Sequence, residues 1–526
     1  MNEFLNELID SGNMSTTENG ALGYKTTGNV LVDMNFKLPS YRENPELLKE
    51  DINSALRSGV PIRMLLLWLF YVRDARGGVG ERKVFQEGLA YLPYSDTHAK
   101  LIRKLIPLIP EYGYYKDLFD LLKTPVGNDV LNLIEEQLEK DYRAVLNNEN
   151  PNNAKLPVSL LAKWMPSENA SSKKSVETAR NLAFLMGYKP KEYRKTLSKI
   201  RNYLKVVERD MSANRWGEID YSRVPSKANV RYAEAFERHD PERRAQYLED
   251  VQNGANKINS SVNFPHEIYA KYSREIRKEW NNYEFTSTVY EELWKALPSI
   301  ELGDTLVVCD GSGSMGMADV PGSKTIKPIH VSRALAIYCA RHMTGPFKDY
   351  FITFSAYPEL IHLNGSSLAD DIRQISEHDD CSNTDVESVF DLILDTAVRA
   401  AEKHPDMDRD KILPKNVLII SDMEFDNITT YCDNNSNARL FMEIQKRYRN
   451  AGFKMPRLIF WNVASRTNTI PIVENENGVM LVSGFSVNLL KAVMSGKTDM
   501  WDALFESMTA KRYEPVMKAL FEEPKK

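Results

Sequence analysis

The sequence predicts a helical domain followed by an α/β domain with a mostly parallel sheet, and three observations carry that expectation. From about residue 44 to residue 290, apolar residues recur at three- and four-residue steps, without strand-like alternation. After Pro298, short continuous apolar runs alternate with helix-length amphipathic stretches, the pattern of strands covered on both faces. The chain has 526 residues, more than one hydrophobic core comfortably holds.

Taken in order, residues 1–43 read as an irregular arm with short strands, because the stretch 26–41 carries β-type residues and meets a proline. Pro61 opens a helix through the apolar run 64–72, and Gly77 and Gly78 stop it. Gly80 starts the next helix. Ser95 or Asp96 caps another that carries Leu101, Ile102, Leu105 and Ile106. Asn128 is placed to cap a helix whose apolar stripe is Leu131, Ile134, Leu138, Tyr142 and Val145, and the Asn-rich stretch 147–153 reads as a linker. Paired amphipathic helices with short loops suggest a HEAT-like helical-repeat domain over 44–298; without a strict sequence period, a plain helical bundle is the other reading. In the second half, strands are expected at Thr305–Asp310, 350–355, 358–364, Asn416–Ser421, 457–463 and 479–482. Helices are expected at 328–343, 367–376, 385–402 and 435–451. The α/β domain is thus placed at 299–495, with a C-terminal helical extension at 496–526 whose Met500, Trp501, Leu504, Phe505 and Met508 form an apolar stripe.

Composition excludes several classes. With 42% hydrophobic and 27% charged residues, the chain is neither disordered, collagen-like nor a disulfide scaffold. Its longest apolar run, 64–72, falls far short of the roughly 20 residues a spanning helix needs, so no membrane partner is expected. No signal peptide is evident at the start. Cys309, Cys339, Cys381 and Cys432 show no CxxC spacing and read as reduced thiols of a cytoplasmic protein. The net charge of -5 conceals an asymmetry: residues 151–231 hold 17 basic against 7 acidic residues, whereas residue 301 onward holds 25 against 32. The basic block fits either a polyanion-binding face or a solvated helical surface.

Oxygen-bearing residues gather at the expected strand ends, where parallel sheets bind ligands. Asp310, Ser312 and Ser314 follow the first strand with glycines between them; Asp422 follows the strand at 416–421; Thr384 sits in a loop that opens a helix. Two carboxylates and three hydroxyls, without His or thiolate, make a hard donor set that suits Mg²⁺ or Mn²⁺ better than Zn²⁺. The bland alternative is a Gly/Ser turn whose aspartate caps the next helix. Residues 311–316 match GxGxxG literally, but Asp310 would face the pyrophosphate and the next helix starts some residues later. The GxSxG elbow is not met, no Walker A sequence occurs, and no histidine is spaced to activate Ser312 or Ser314. A non-enzymatic protein is expected, with no catalytic residues.

This set resembles the metal-ion-dependent adhesion site (MIDAS) of von Willebrand factor A (vWA) domains. Asp310, Ser312 and Ser314 match its DxSxS element, and Thr384 and Asp422 match its later threonine and aspartate. The resemblance implies a Rossmann-like fold, with Ser312, Ser314 and Thr384 as direct ligands of the ion and Asp310 and Asp422 acting mainly through water. It also implies a coordination position left open for an acidic group of a partner. A helical-repeat half joined to such a domain is similar to the architecture of the Ro autoantigen family, with its TROVE module. The segments 71–82 (YVRDARGGVGER), 224–227 (VPSK), 385–394 (DVESVFDLIL) and 421–426 (SDMEFD) resemble an uncharacterised relative of those proteins. That likeness implies small or structured RNA as partner and a ribonucleoprotein scaffold as function; a protein-interaction adaptor, gripping an acidic residue through the metal, is the alternative, and a metal-dependent nuclease a third. The RNA-binding candidates are Lys173, Lys174, Arg180, Lys189, Lys191, Arg194, Lys195, Lys199, Arg201 and Lys205, with Arg73, Arg76 and Arg82 in the glycine-rich loop. Tyr188, Tyr193 and Tyr203 are interleaved and stack on bases or pack in the core. Arg73 and Asp74 serve phosphate contact or a structural ion pair.

Overall fold

The computed structural model describes residues 12–149, 156–279, 288–317, 319–320, 323, 325–354, 357–378, 385–427, 440–494 and 496–522. The protein is mixed α/β, with a mostly helical N-terminal part followed by a mostly parallel sheet. Its compact units are not single stretches of chain. One comprises Met1–Val60, Ala75–Val84 and Ile258–Ala510; the other comprises Pro61–Asp74, Phe85–Lys257 and Lys511–Lys526. The linear boundaries at residues 43, 298 and 495 therefore do not coincide with the units.

The first unit, the α/β unit, contains a hairpin of β1 (Met14–Thr16) and β2 (Leu22–Tyr24). The stretch at 26–41, strand-like in sequence, is mostly helical. Residues Val30–Phe36 form a helix, because Asn29 accepts from the Leu31 and Val32 amides and fixes the first turn. Pro39 lies in the first turn of the next helix, Leu38–Glu43, where its missing N–H costs nothing. Local β propensity lost to capping and burial.

The main sheet comprises β3 (Thr305–Asp310), β4 (Tyr350–Phe354), β5 (Leu360–His362), β6 (Asn416–Ser421), β7 (Arg457–Asn462) and β8 (Val479–Ser483). The spatial order is β5-β4-β3-β6-β7-β8, parallel except for the antiparallel edge strand β5. Every residue of β3, β7 and β8 is buried, which explains their unbroken apolar runs. The helix Pro328–His342 packs along β3, β4 and β6. Trp461, fully buried in β7, donates its indole N–H to the Gly484 carbonyl at 2.7 Å. The Phe36 carbonyl accepts from Asn462 and Ser483 side chains, which ties the N-terminal helix to β7 and β8.

The helical unit contains Ile62–Arg73, Asp96–Leu105, Gly127–Asn148, Lys173–Leu185, Pro190–Tyr203, Ser226–His239 and Pro241–Gln252, closed by Glu514–Phe521. The C-terminal helix packs on Ile62–Arg73 and Asp96–Leu105. The long helix starts after Val126, so Asn128 lies inside its first turn and is not its cap. Ion pairs on buried carboxylates lock the unit: Arg73 Nε donates to Asp117 at 2.8 Å, and Asp74 accepts from the part-exposed Arg512 and from the Tyr513 hydroxyl. Gly113 is required there, since a Cβ would stand 2.2 Å from an Asp117 oxygen. Among the described residues, no helix is long and apolar enough to cross a membrane.

Candidate functional site

The chain leaves β3 toward β4 on one side of the sheet, whereas β6 lies on the other side of β3. The carboxyl ends of β3 and β6 therefore flank the point where strand order reverses, the place where open α/β sheets form a ligand crevice. The parallel register pairs Cys309 with Ile420, so the next residues, Asp310 and Ser421, emerge side by side. Strand pairing alone brings together two loops more than a hundred residues apart.

Asp310 and Asp422 are both fully buried. Asp310 accepts from the Ser421 hydroxyl at 2.5 Å and from the Ser312 backbone N–H at 2.9 Å. The Ser312 and Ser314 hydroxyl oxygens lie 3.1 Å apart. Asp422 accepts from the Glu424 backbone N–H at 3.3 Å, and the Ser314 hydroxyl also bonds to it. Burial, with the negative charge of Asp422 added, pushes Asp310 up to about 7, against the pull of its Ser421 and Ser312 bonds. Burial likewise raises Asp422, opposed by Arg466 and Ser314.

Two desolvated carboxylates with adjoining hydroxyls are short of positive charge, and their oxygen donors fit a hard divalent cation. Asp310, Ser312, Ser314 and Asp422 are brought together as the sequence spacing requires. Thr384 lies outside the described residues, as do Cys381 and Cys432. Cys309 and Cys339 are buried free thiols. Among the described residues, no group of three or more His, Cys, Asp or Glu side chains forms a metal cluster.

Three residues that the sequence reading missed organise this edge. Ser421 orients Asp310, and its oxygen also accepts from the Met423 N–H at 2.9 Å. Buried Glu424 accepts from the backbone amides of Arg466 at 2.7 Å, Thr467 at 2.9 Å and Glu18 at 2.8 Å. It thereby fixes the 465–467 loop and the β1–β2 turn against the end of β6. Arg466 places Nη1 3.3 Å from Asp422 Oδ2. Sequence offered no cue for Arg466, which lies in a loop beyond β7.

The basic candidates divide. Lys173, Lys174, Arg180, Lys189, Lys191, Lys195 and Lys205 are exposed. Arg194 pairs with Glu168 at 3.4 Å and Lys199 with Glu149 at 3.1 Å. Arg201 turns inward: it donates to the Ala162 and Met165 carbonyls and the Ser167 hydroxyl, so its role is to join loop and helix. Arg73 is only 2% exposed and spent on Asp117, which decides for the structural ion pair over phosphate contact. Arg76 and Arg82 are exposed and belong to the segment of the α/β unit at Ala75–Val84. Of the tyrosines, Tyr193 is core, its hydroxyl bonded to the Pro166 carbonyl; Tyr188 is half-buried and Tyr203 borders the surface. The exposed aromatic in the block is instead Phe184, 82% accessible near the end of Lys173–Leu185.

Residues 304–520 match a family described as a domain of unknown function (DUF7788), and residues 126–299 match a second so described (DUF2828). The first match spans all strands of the main sheet and both aspartates; the second spans the basic block. The chain is also similar to Uncharacterized protein L728 of Acanthamoeba polyphaga mimivirus, 29% identical over 517 residues, which covers 92% of this chain and 85% of that one.

Proposed function

We propose that this chain is a non-enzymatic binding protein whose α/β unit carries a Mg²⁺- or Mn²⁺-dependent adhesion site of the von Willebrand A type. The observation that carries this reading is the convergence of Asp310, Ser312, Ser314 and Asp422 at the switch point of a β5-β4-β3-β6-β7-β8 sheet. Ser312 and Ser314 would hold the ion, and the resemblance adds Thr384, which lies outside the described residues. Asp310 and Asp422 would balance its charge from beneath. A bound ion supplies a Lewis-acidic position that an acidic side chain of a partner can fill, which is the adaptor reading. Ser421 keeps Asp310 in place, and the Glu424 bonds hold the 465–467 loop and the β1–β2 turn at the end of β6. The test is affinity enrichment from cell extract in Mg²⁺ and in EDTA, beside an Asp310→Ala, Ser312→Ala double variant. A discrete protein retained only by the wild-type chain in Mg²⁺ is expected; equal capture by the variant would sink this reading.

A second reading, RNA binding by a HEAT- or TROVE-like helical unit acting as a ribonucleoprotein scaffold, is favoured by a different observation. Exposed Lys173, Lys174, Arg180, Lys191 and Lys195 come from two helices that pack on each other, with Phe184 among them. Cations contact phosphates, and an exposed ring accepts an unpaired base. Helix pairs adjacent in sequence, such as Ser226–His239 with Pro241–Gln252, pack together as repeats do. Crosslinking and sequencing of bound RNA in cells tests it. Discrete small RNAs that vanish on charge reversal at Lys173, Lys174, Lys191 and Lys195 are expected, and background alone from the wild type would end it.

A further inference from the structure

The contacts of Arg466 are unequal. Its guanidinium makes two short contacts to Glu18, with Nε at 2.6 Å and Nη2 at 2.5 Å from Oε2. To Asp422 it makes one longer contact, Nη1 to Oδ2 at 3.3 Å. Both ends of this bridge are anchored on one buried carboxylate. Glu424 accepts from the Arg466 amide and from the Glu18 amide, and its carbonyl accepts from the Asn19 side chain at 2.7 Å. The Thr17 hydroxyl adds a bond to the Phe425 carbonyl at 2.6 Å. The backbone beneath Arg466 and Glu18 is thus fixed, while the two side chains stay part-exposed, at 40% and 56%. Giving up Asp422 would cost Arg466 a single long hydrogen bond and leave it paired with Glu18 in water. The structural pair Arg73–Asp117 has no such option, since both partners are buried.

We infer that Arg466 is the resident counter-cation of the Asp310–Asp422 pair, which a divalent ion displaces from Asp422, and that Glu18 sets how readily it leaves. This rests on the adhesion-site reading above and names the residue that tunes its metal affinity. A monovalent guanidinium partly neutralises the buried aspartates and repels an incoming cation. Glu18 holds the guanidinium from the solvent side and offsets that repulsion. Removing Arg466's charge therefore tightens metal binding, and removing Glu18's charge weakens it. Opposite signs from two neighbouring residues are not what loss of folding would produce.

Titration of the full chain with Mn²⁺ alone, followed by the electron paramagnetic resonance of free ion, tests this on wild type, Arg466→Gln, Arg466→Lys, Glu18→Gln and Asp310→Asn. Arg466→Gln is expected to bind Mn²⁺ at least about tenfold tighter than wild type. Arg466→Lys should stay near wild type, Glu18→Gln should bind about threefold weaker, and Asp310→Asn should lose saturable binding. If Asp310→Asn loses binding but Arg466→Gln binds no tighter than wild type, the counter-cation role is wrong and the metal site stands. If the wild type shows no saturable site, or Asp310→Asn binds as well as wild type, both fall together.

Discussion

In the α/β unit, Asp310, Ser312 and Asp422 lie buried at the ends of two strands, each oriented by two or three hydrogen bonds. In the helical unit, Lys173, Lys174, Lys191 and Lys195 stand in water on two helices. The first arrangement is geometric: charges out of water interact strongly, so a change of one atom alters what the site can hold. The second is additive, since each exposed cation contributes a small, salt-screened share and no single residue is decisive. The helical unit also has buried charges, in Arg73, Asp117 and Asp74, and these belong to its architecture. Among the cations of the helical unit, burial separates those that shape the fold, such as Arg73, from those left available to a ligand.

The sharpest way to break this comparison is Arg73→Ala. Leaving Asp117 buried without its cation should destabilise the helical unit by about 3–5 kcal/mol, read as a lowered urea midpoint. The remaining folded protein should keep its affinity for RNA at each salt concentration. An unchanged midpoint with weakened RNA binding would return Arg73 to the candidate face. Next in size, reversing the charge of Lys173, Lys174, Lys191 and Lys195 together should weaken binding of a structured RNA roughly a hundredfold at moderate salt and flatten its salt dependence. Unfolding should be almost untouched. A loss confined to one of the four single variants would contradict the additive picture.

Phe184→Ala should lower affinity for single-stranded RNA by about 1–2 kcal/mol, in filter binding, while duplex RNA is bound as before. Because the ring is already in water, the thermal midpoint should not fall. Equal effects on both RNA forms would remove stacking from the account. The smallest expected effect concerns acid stability of the α/β unit. Burial, joined by the charges of Arg274, Arg277, Arg333 and Lys327, lowers His330 to about 4. An unfolded histidine takes up its proton near 6.5. Between those values the unfolded state binds more protons, so this histidine's contribution is present above about 6.5 and is lost as pH falls toward 4. His330→Asn should accordingly show a shallower decline of stability over that window, measured by urea unfolding at a series of pH values. An identical decline would mean that other groups govern the acid limb.

Much of the α/β unit was legible from sequence. Strands expected at Thr305–Asp310 and Asn416–Ser421 are found at those residues, and the helix expected at 328–343 runs Pro328–His342. A strand buried on both faces leaves a continuous apolar run that local reading detects. The segment at 30–36 was misread because Val30, Leu31 and Val32 suit a strand in isolation. Asn29 and the packing of Leu31 and Phe36 decide for a helix. For a related reason Arg201, expected on the RNA face, turns inward, and Tyr193 takes the core alternative. On a helix, sequence shows spacing, while the face that is covered depends on which neighbour packs there.

Sequence by itself determined the order of helices and strands, the oxygen-rich composition of the loops after β3 and β6, and the basic block at 151–231. These are local properties, set by periodicity, capping and turn chemistry. Only the tertiary structure decided that β6 lies beside β3, that Glu424 ties the β1–β2 turn to the loop after β7, and that Arg466 faces Asp422. It also decided which cations remain outside and which are consumed within. Those outcomes depend on contacts between residues tens to hundreds of positions apart, where burial of the whole sheet and its helices outweighs any local preference.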